Sequence, residues 1–262
     1  MEIKLSKSEI KIGKFGIEIE FIAPVGREDM AAAIQNAGFD CEAQGYNHTS
    51  CQSWKIVNDG SVRSRDIRFQ GMEIVSPILI GKAGLEAIAI ICQVLKDKGC
   101  KVNMTCGLHV HHDAPEFGSD KVAKMIRYYK KAESVIDSMM PSSRRGSANQ
   151  YCNSMLNLDE RTMPISRYYK VNFQALVRHT TVEFRHHSGT VEADKIINWI
   201  ILTALIMNKV VNGGRVQNDK PFEKWLDLKW DLGLSFKGEK TPEAETMVKY
   251  YHKRIKGMAA EA

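Results

Sequence analysis

The stretch Phe15-Gly16-Ile17-Glu18-Ile19-Glu20-Phe21 decides how this chain is read. As a strand, its period of two places Ile17, Ile19 and Phe21 on one face and Glu18 and Glu20 on the other. The two glutamates then have Cα atoms about 6.6 Å apart, close enough to share a cluster of cations and repulsive without one. An edge strand with a solvated acidic face would show the same alternation, so the rest of the chain has to decide between water and metal.

Downstream, Arg27 to Ala37 reads as a short helix stopped by Gly38, with Glu28 and Asp29 suiting its first turn. A strand follows from Ser53 to Val57, and Asn58-Asp59-Gly60-Ser61 carries the Asp-Gly signal of a tight hairpin turn. Beyond the arginines Arg63, Arg65 and Arg68, Gly71 to Pro77 is the next strand, closed by its proline. Leu85, Ile88, Ala89, Cys92 and Leu95 recur at helical spacing between Lys82 and Lys98, and Gly99 ends that helix. A strand pair is predicted at Lys101–Thr105 and Leu108–His112, and then a long helix capped by Ser119 or Asp120 and ended after Met140 by Pro141. The basic loop Ser142–Ser147 leads to Tyr151-Cys152-Asn153. Two more strands are predicted at Tyr168–Leu176 and Thr181–His186, followed by helices at Ala193–Val211, Phe222–Leu226 and Glu243–Lys256.

Strands separated by turns or single helices, without regular βα alternation, argue for an α+β fold with a mainly antiparallel sheet. One domain is expected over residues 1–262, with a core from about 15 to 210 and a helical extension from about 212 to the end. Net charge is +6 and the sequence pI about 8.9, compatible with a polyphosphate ligand but also with solubility alone. Six cysteines form no CxxC pair and no regular spacing, which argues against a zinc knuckle or a disulfide scaffold and for reduced thiols in a cytoplasm. The N-terminus has no apolar signal-peptide run, and the most apolar segment, Trp199–Met207, is far shorter than a membrane span.

The pattern of the opening strand recurs. Glu73 stands between Met72 and Ile74, Glu183 and Arg185 flank Phe184, and His109 and His111 share a face around Val110. Solvated strand faces usually mix Lys, Thr and Ser, whereas these ionisable residues stand at strand centres. Carboxylates lining one cavity repel and bear a desolvation cost of several kcal/mol each unless cations neutralise them. Magnesium or manganese fits such oxygen ligands. The HxH strand offers a rival reading, a zinc-dependent hydrolase with a metal-activated water. A further one is a non-catalytic basic module, although a polyanion binder would not line its cavity with four glutamates, and this argues against nucleic acid as the partner. His112 and His187 are expected to face the other side as structural residues, and His179 and His186 have no assigned partner.

Taken in order, these segments resemble the signature of the glutamine synthetase and glutamate cysteine ligase superfamily. Gly16-Ile17-Glu18-Ile19-Glu20-Phe21 is similar to its GxExEF strand, Gly107-Leu108-His109-Val110-His111 to its GxHxH strand, and Val182-Glu183-Phe184-Arg185 to its xExR strand. The closer resemblance is to the phage and bacterial amidoligases, through Trp54–Ser61, Glu73–Leu79, Cys106–His111, Arg144–Asn153 and Arg167–Thr190. It covers residues 15 to about 210.

This resemblance implies a funnel-shaped antiparallel sheet, with helices packed outside, whose inner face binds ATP and Mg2+ (Mn2+ being an alternative). It implies a ligase that turns a small-molecule or peptide carboxylate into an acyl phosphate and passes the acyl group to an amine, giving an amide or isopeptide bond. Carried over position by position, Glu18, Glu20, Glu73 and Glu183 become metal ligands, His109 a ligand or ATP-phosphate contact, and Arg185 the stabiliser of the transferring phosphoryl group. Glu183, Arg185 and Arg167 form the implied catalytic set. Arg144, Arg145 and Asn172 are implied contacts for nucleotide or substrate carboxylate, a role that a planar guanidinium fills in bidentate fashion. Tyr151 and Asn153 are candidate walls, while His111 and Asp59 fit the pattern equally as ligand contacts or as a hydrogen-bonded strand histidine and a turn residue. Cys106 and Cys152 read as small buried hydrophobes. The N-terminal domain, ammonia nucleophile and ring assembly of glutamine synthetases are not carried over, and nothing in the sequence fixes the amine, the acid or an oligomeric state.

Overall fold

A computed structural model describes residues 3–4, 9–10, 12–45, 52–213, 220–234 and 242–260. In chain order its elements are β1 (Ile3–Lys4), β2 (Glu9–Ile10), β3 (Lys14–Ala23), α1 (Arg27–Asn36), β4 (Cys41–Gln44), β5 (Trp54–Asn58), β6 (Gln70–Val75), β7 (Leu79–Ile80), α2 (Gly81–Asp97), β8 (Gly107–Asp113), α3 (Ser119–Asp137), β9 (Val171–Asn172), α4 (Gln174–His179), β10 (Thr181–Ser188), α5 (Ala193–Asn212), α6 (Trp225–Asp231) and α7 (Pro242–Ala260). Strands β3 to β10 make an open, mostly antiparallel sheet in the order β4-β5-β6-β3-β8-β10-β9, with β7 also on β3 and β4 parallel to β5. β1 and β2 form a separate antiparallel pair. The chain divides into two compact units, one of Gly13–His111 and Arg185–Ile200, the other of Met1–Ile12, His112–Phe184 and Ile201–Ala262, so that β8, β10 and α5 each run from one into the other.

In the first unit, alternation separates an apolar from a polar sheet face. Ile19, Ile74 and Ile56 lie in one cross-strand row and Phe21 opposes Met72, all of them buried. Helix α1 packs on β4 and β5 and buries Met30, Ala31 and Ile34; α2 packs on β7 and buries Leu85, Ile88, Ile91, Cys92 and Leu95. Both helices end as their sequences predict, because Gly38 and Gly99 adopt the left-handed conformation that residues with a Cβ resist.

The second unit is organised by α3, whose buried face includes Val122, Met125, Ile126, Tyr129, Ala132, Val135 and Ile136. Lys170, fully buried, donates to Glu133 at 2.8 Å and Asp137 at 2.6 Å. The other carboxylate oxygens accept the backbone N–H groups of Met155 and Gly146, which ties the intervening loop to α3.

Five expectations are corrected. Lys101–Thr105 is not a strand: only Lys101 bridges to Ile22, and the Asn103 side chain accepts the Thr105 N–H, competing with ladder pairing. Tyr168–Leu176 narrows to the two residues of β9, because the Asn172 side chain accepts the Gln174 N–H and α4 begins there. The hairpin between β5 and β6 is a long loop, residues 59–69, since Asp59 accepts both the N–H and hydroxyl of Ser61 at 2.7 Å and so folds a local turn instead of a two-residue reversal. Neither Ser119 nor Asp120 caps α3, whose N-cap is Gly118. Helix α6 also starts later than predicted, where Asp227 accepts the N–H groups of Glu223 and Lys224.

The seat of α2 on the sheet gives a test. A Cβ on Gly84 would come within 2.8 Å of Leu79 Cβ and 2.9 Å of the Phe15 ring. Gly84→Ala therefore destabilises the fold by about 1–3 kcal/mol despite alanine's higher helix propensity, as read from the midpoint of urea unfolding.

Candidate functional site

The polar face of the first unit is built by strand register. Glu20 lies directly opposite Glu73 across β3 and β6, and Asp59 enters from the root of the β5–β6 loop. One carboxylate oxygen from each of Glu20, Asp59 and Glu73 can be chosen so that all three lie within 4.8 Å of one another. Glu20 and Glu73 are buried. The site thus joins two glutamates foreseen from the sequence to an aspartate that the Asp-Gly pattern suggests equally as a turn residue. Asp59 is both: one of its oxygens holds the turn, and its carboxylate stands at the cluster.

Glu18 belongs to a neighbouring group. Its Oε2 lies 2.9 Å from His109 Nδ1 and its Oε1 3.5 Å from His111 Nε2, while His109 Nε2 is 3.7 Å from Glu20 Oε1. His109 therefore bridges the two glutamates of the opening strand. Glu20 Oε2 accepts the Gly107 N–H at 2.5 Å, so the start of the HxH strand is tied to the same carboxylate. The pKa of Glu18 lies well below the usual value: burial would raise it, but hydrogen bonds and charge from His109 and His111 outweigh that. Glu73 is pushed well above its usual value by burial first and then by the fields of Glu18, Glu20 and Asp59, with Arg185 opposing the shift. Arg185 is thus electrostatically engaged with this centre.

These donors fit a hard divalent cation. Three clustered carboxylates supply oxygen ligands, and the pKa of Glu73 is raised by burial first and by its carboxylate neighbours second, both of which a cation would oppose. The two histidines of the HxH strand are both turned to Glu18.

The other predicted residues lie in the second unit. Glu183 is buried and opposite Asn172 in the β9–β10 ladder, and Asn172 Nδ2 donates to its Oε2 at 2.5 Å. Arg144 is buried in the short 3-10 turn Ser142–Arg144. Arg145 donates to the carbonyls of Met140 and Met258, and Arg254 to that of Met139, so both finish the C-terminal end of α3. Arg167 lies over the Tyr168 ring at 5.1 Å and reaches its hydroxyl at 3.2 Å. Asn153 Nδ2 donates to the carbonyls of Gln150 and Tyr168, and Tyr151 packs edge-on against Tyr168.

His112 is structural as expected, bonded to Thr203 at 2.7 Å and edge-on to Phe184. His187 is structural for a different reason. Strand parity puts it with Glu183 and Arg185, yet its ring packs against Trp199, as does that of His186. Cys106 and Cys152 are buried and in no disulfide, and Gly189 leaves room for Cys106 because a Cβ there would sit 2.4 Å from the cysteine Cβ.

An α+β sheet that sets carboxylates at the centres of adjacent strands, flanked by histidines and an arginine, defines a protein suited to hold cations on its polar face. Residues 11–160 and 156–207 match the family model described as "Putative amidoligase enzyme". These matches cover most of the chain, and the protein belongs to this amidoligase family, a membership that supports a ligase-type function. No curated protein matches the chain. Among the described residues, no helix is long and apolar enough to cross a membrane.

The two displaced glutamates make opposite contributions to stability. Glu18, with its pKa depressed, stabilises the fold above its unfolded value near 4.5, and that contribution is lost as pH falls through the folded value. Glu73 favours the fold while protonated, so its contribution is complete below 4.5 and is lost as pH rises through its folded value. In chelator at pH 7.5, Glu73→Gln should raise the Tm by roughly 2–4 °C, equivalent to about 1 kcal/mol for a chain of this size. Added Mg2+ should raise the Tm of the parent protein and leave that of the variant where it is, both followed by thermal denaturation.

Proposed function

We propose that the protein is an ATP- and Mg2+-dependent carboxylate–amine ligase that forms an amide or isopeptide bond through an acyl phosphate. The observation that carries this reading is the placement of Glu20 directly opposite Glu73 with Asp59 at the same point. Buried like charges held face to face destabilise a sheet unless a cation joins them. Glu20, Glu73 and Asp59 would hold Mg2+, or Mn2+ in its place, with Glu18 and Glu183 as the further ligands implied by the family. When bound, the metal neutralises charge on the phosphate oxygens, the dominant requirement of phosphoryl transfer.

The chain's own residues then position and stabilise. Arg185 faces the charge that develops on the transferring phosphoryl group, and His109, fixed between Glu18 and Glu20, contacts the nucleotide phosphates. A substrate carboxylate oxygen attacks the γ-phosphorus and ADP leaves. The amine nitrogen then attacks the activated carbonyl carbon, phosphate departs, and the amine proton is lost to a base. Arg144, Arg145, Arg167 and Asn172 are the proposed contacts for substrate carboxylate and nucleotide. Small molecules or peptides with acid and amine groups are the proposed substrates, and buried cysteines in no disulfide suit a reducing cytoplasm.

The zinc hydrolase reading is weaker, because the three-oxygen cluster is a hard-ligand set. Calorimetry should detect Mg·ATP binding, more than tenfold weaker in Glu20→Gln and in Glu183→Gln, and a library of acids and amines should yield substrate-dependent ADP release. Unchanged Mg·ATP binding in both variants would sink the ligase reading. Stoichiometric zinc supporting hydrolysis without ATP would favour the alternative.

A further inference from the structure

Strand β5 carries a charge where a sheet of this kind would otherwise place a hydrophobe. Its residues Trp54 and Ile56 belong to the apolar face, so Lys55 and Val57 face the same way as the carboxylates. The register makes this specific. Lys55 opposes Val75, which opposes Glu18, and Val57 opposes Glu73, which opposes Glu20. Lys55 is thus the diagonal neighbour of Glu73, with Cα atoms about 7–8 Å apart. It is only 2% exposed, against a residue type that is almost never fully buried.

In the strand order β5-β6-β3-β8-β10, Lys55 stands on one side of the Glu73–Glu20 pair and Arg185 on the other. By strand order Lys55 and Arg185 therefore lie on either side of Glu18, Glu20 and Glu73, with Asp59 just past the end of Lys55's own strand. Taken alone, that face is net negative, but each divalent cation adds two positive charges. One such cation at the Glu20–Asp59–Glu73 cluster cancels that excess, leaving Lys55 and Arg185 to meet an anion. A four-carbon stem carries the lysine ammonium roughly 6 Å from its Cα, enough to reach the space above the neighbouring strand.

We propose that Lys55 is an anion-binding residue of the active centre that holds the non-transferred phosphates of the nucleotide, opposite the side on which Arg185 meets the transferring group. This rests on the ligase reading above. The lysine side chain suits the role because its compact ammonium can follow a flexible phosphate chain, whereas Arg185 offers a fixed planar fork.

Calorimetric titration of parent, Lys55→Met and Lys55→Arg proteins with Mg·ATP and with Mg·ADP tests it. Lys55→Met should bind both nucleotides more than tenfold more weakly, Lys55→Arg should recover part of the loss, and the nucleotide-free Tm should move by no more than a few degrees. Equal nucleotide affinity in folded Lys55→Met, or a change confined to the KM of the acid substrate, would overturn the proposal while leaving the ligase reading intact. Failure of the parent protein to bind Mg·ATP would remove both. Should Lys55→Met not fold, a pyridoxal polyphosphate fixed by borohydride on the parent protein decides the matter. Modification of Lys55 that Mg·ATP blocks supports the role, and modification that spares Lys55 overturns it.

Discussion

Everything on the polar face of the first unit answers to one constraint, the direct opposition of Glu20 and Glu73 across β3 and β6. A sheet gains most when opposed side chains attract or pack, and two buried carboxylates do neither. The surroundings can be understood as responses to that cost. The Gly107 N–H satisfies one oxygen of Glu20, His109 sits beside the other, and Arg185 opposes the upward shift at Glu73. What these groups do not offset is the charge that the proposed cation would meet. Stability has been given up where the two carboxylates meet, the point at which the proposed cation would be held, a trade common in active centres.

The second unit solves a different problem with similar means. Its buried Lys170 meets two carboxylates whose remaining oxygens accept backbone N–H groups, so every charge in the trio is hydrogen-bonded. This is how a buried ionic group becomes a fastener, fixing the loop that carries Arg144 and Arg145 onto α3. The contrast with the Glu20–Glu73 pair is instructive. One cluster holds its counter-charge within the chain and the other does so only in part.

Much of this was legible because period-two alternation writes itself directly into sequence. Parity alone paired Glu18 with Glu20, His109 with His111 and Glu183 with Arg185 along their own strands, and Gly38 and Gly99 marked helix ends through their own backbone preference. What was missed depended on side chains folding back on their own backbone. Asn103 and Asn172 each diverted a segment that reads as strand, and Asp59 turned an apparent two-residue reversal into a long loop. Lys55 is illegible in the sequence for another reason. Residue type alone suggests a solvated lysine, and only the register across β5, β6 and β3 reveals that it is buried on the carboxylate face.

The loop between β5 and β6 carries a liability of its own. Asp59 reaches the cluster from this loop and not from a strand, and the loop closes only because Gly71 has no side chain: a Cβ there would lie 2.1 Å from the Val62 carbonyl oxygen. Val62 is buried against Ile22 and Cys106, so that carbonyl has little freedom to retreat. A position that touches no ligand therefore sets where one of the three clustered carboxylates stands. Sequence drift in this protein would meet its narrowest tolerance at an unreactive glycine, two residues from a glutamate whose own strand pairing would survive the change.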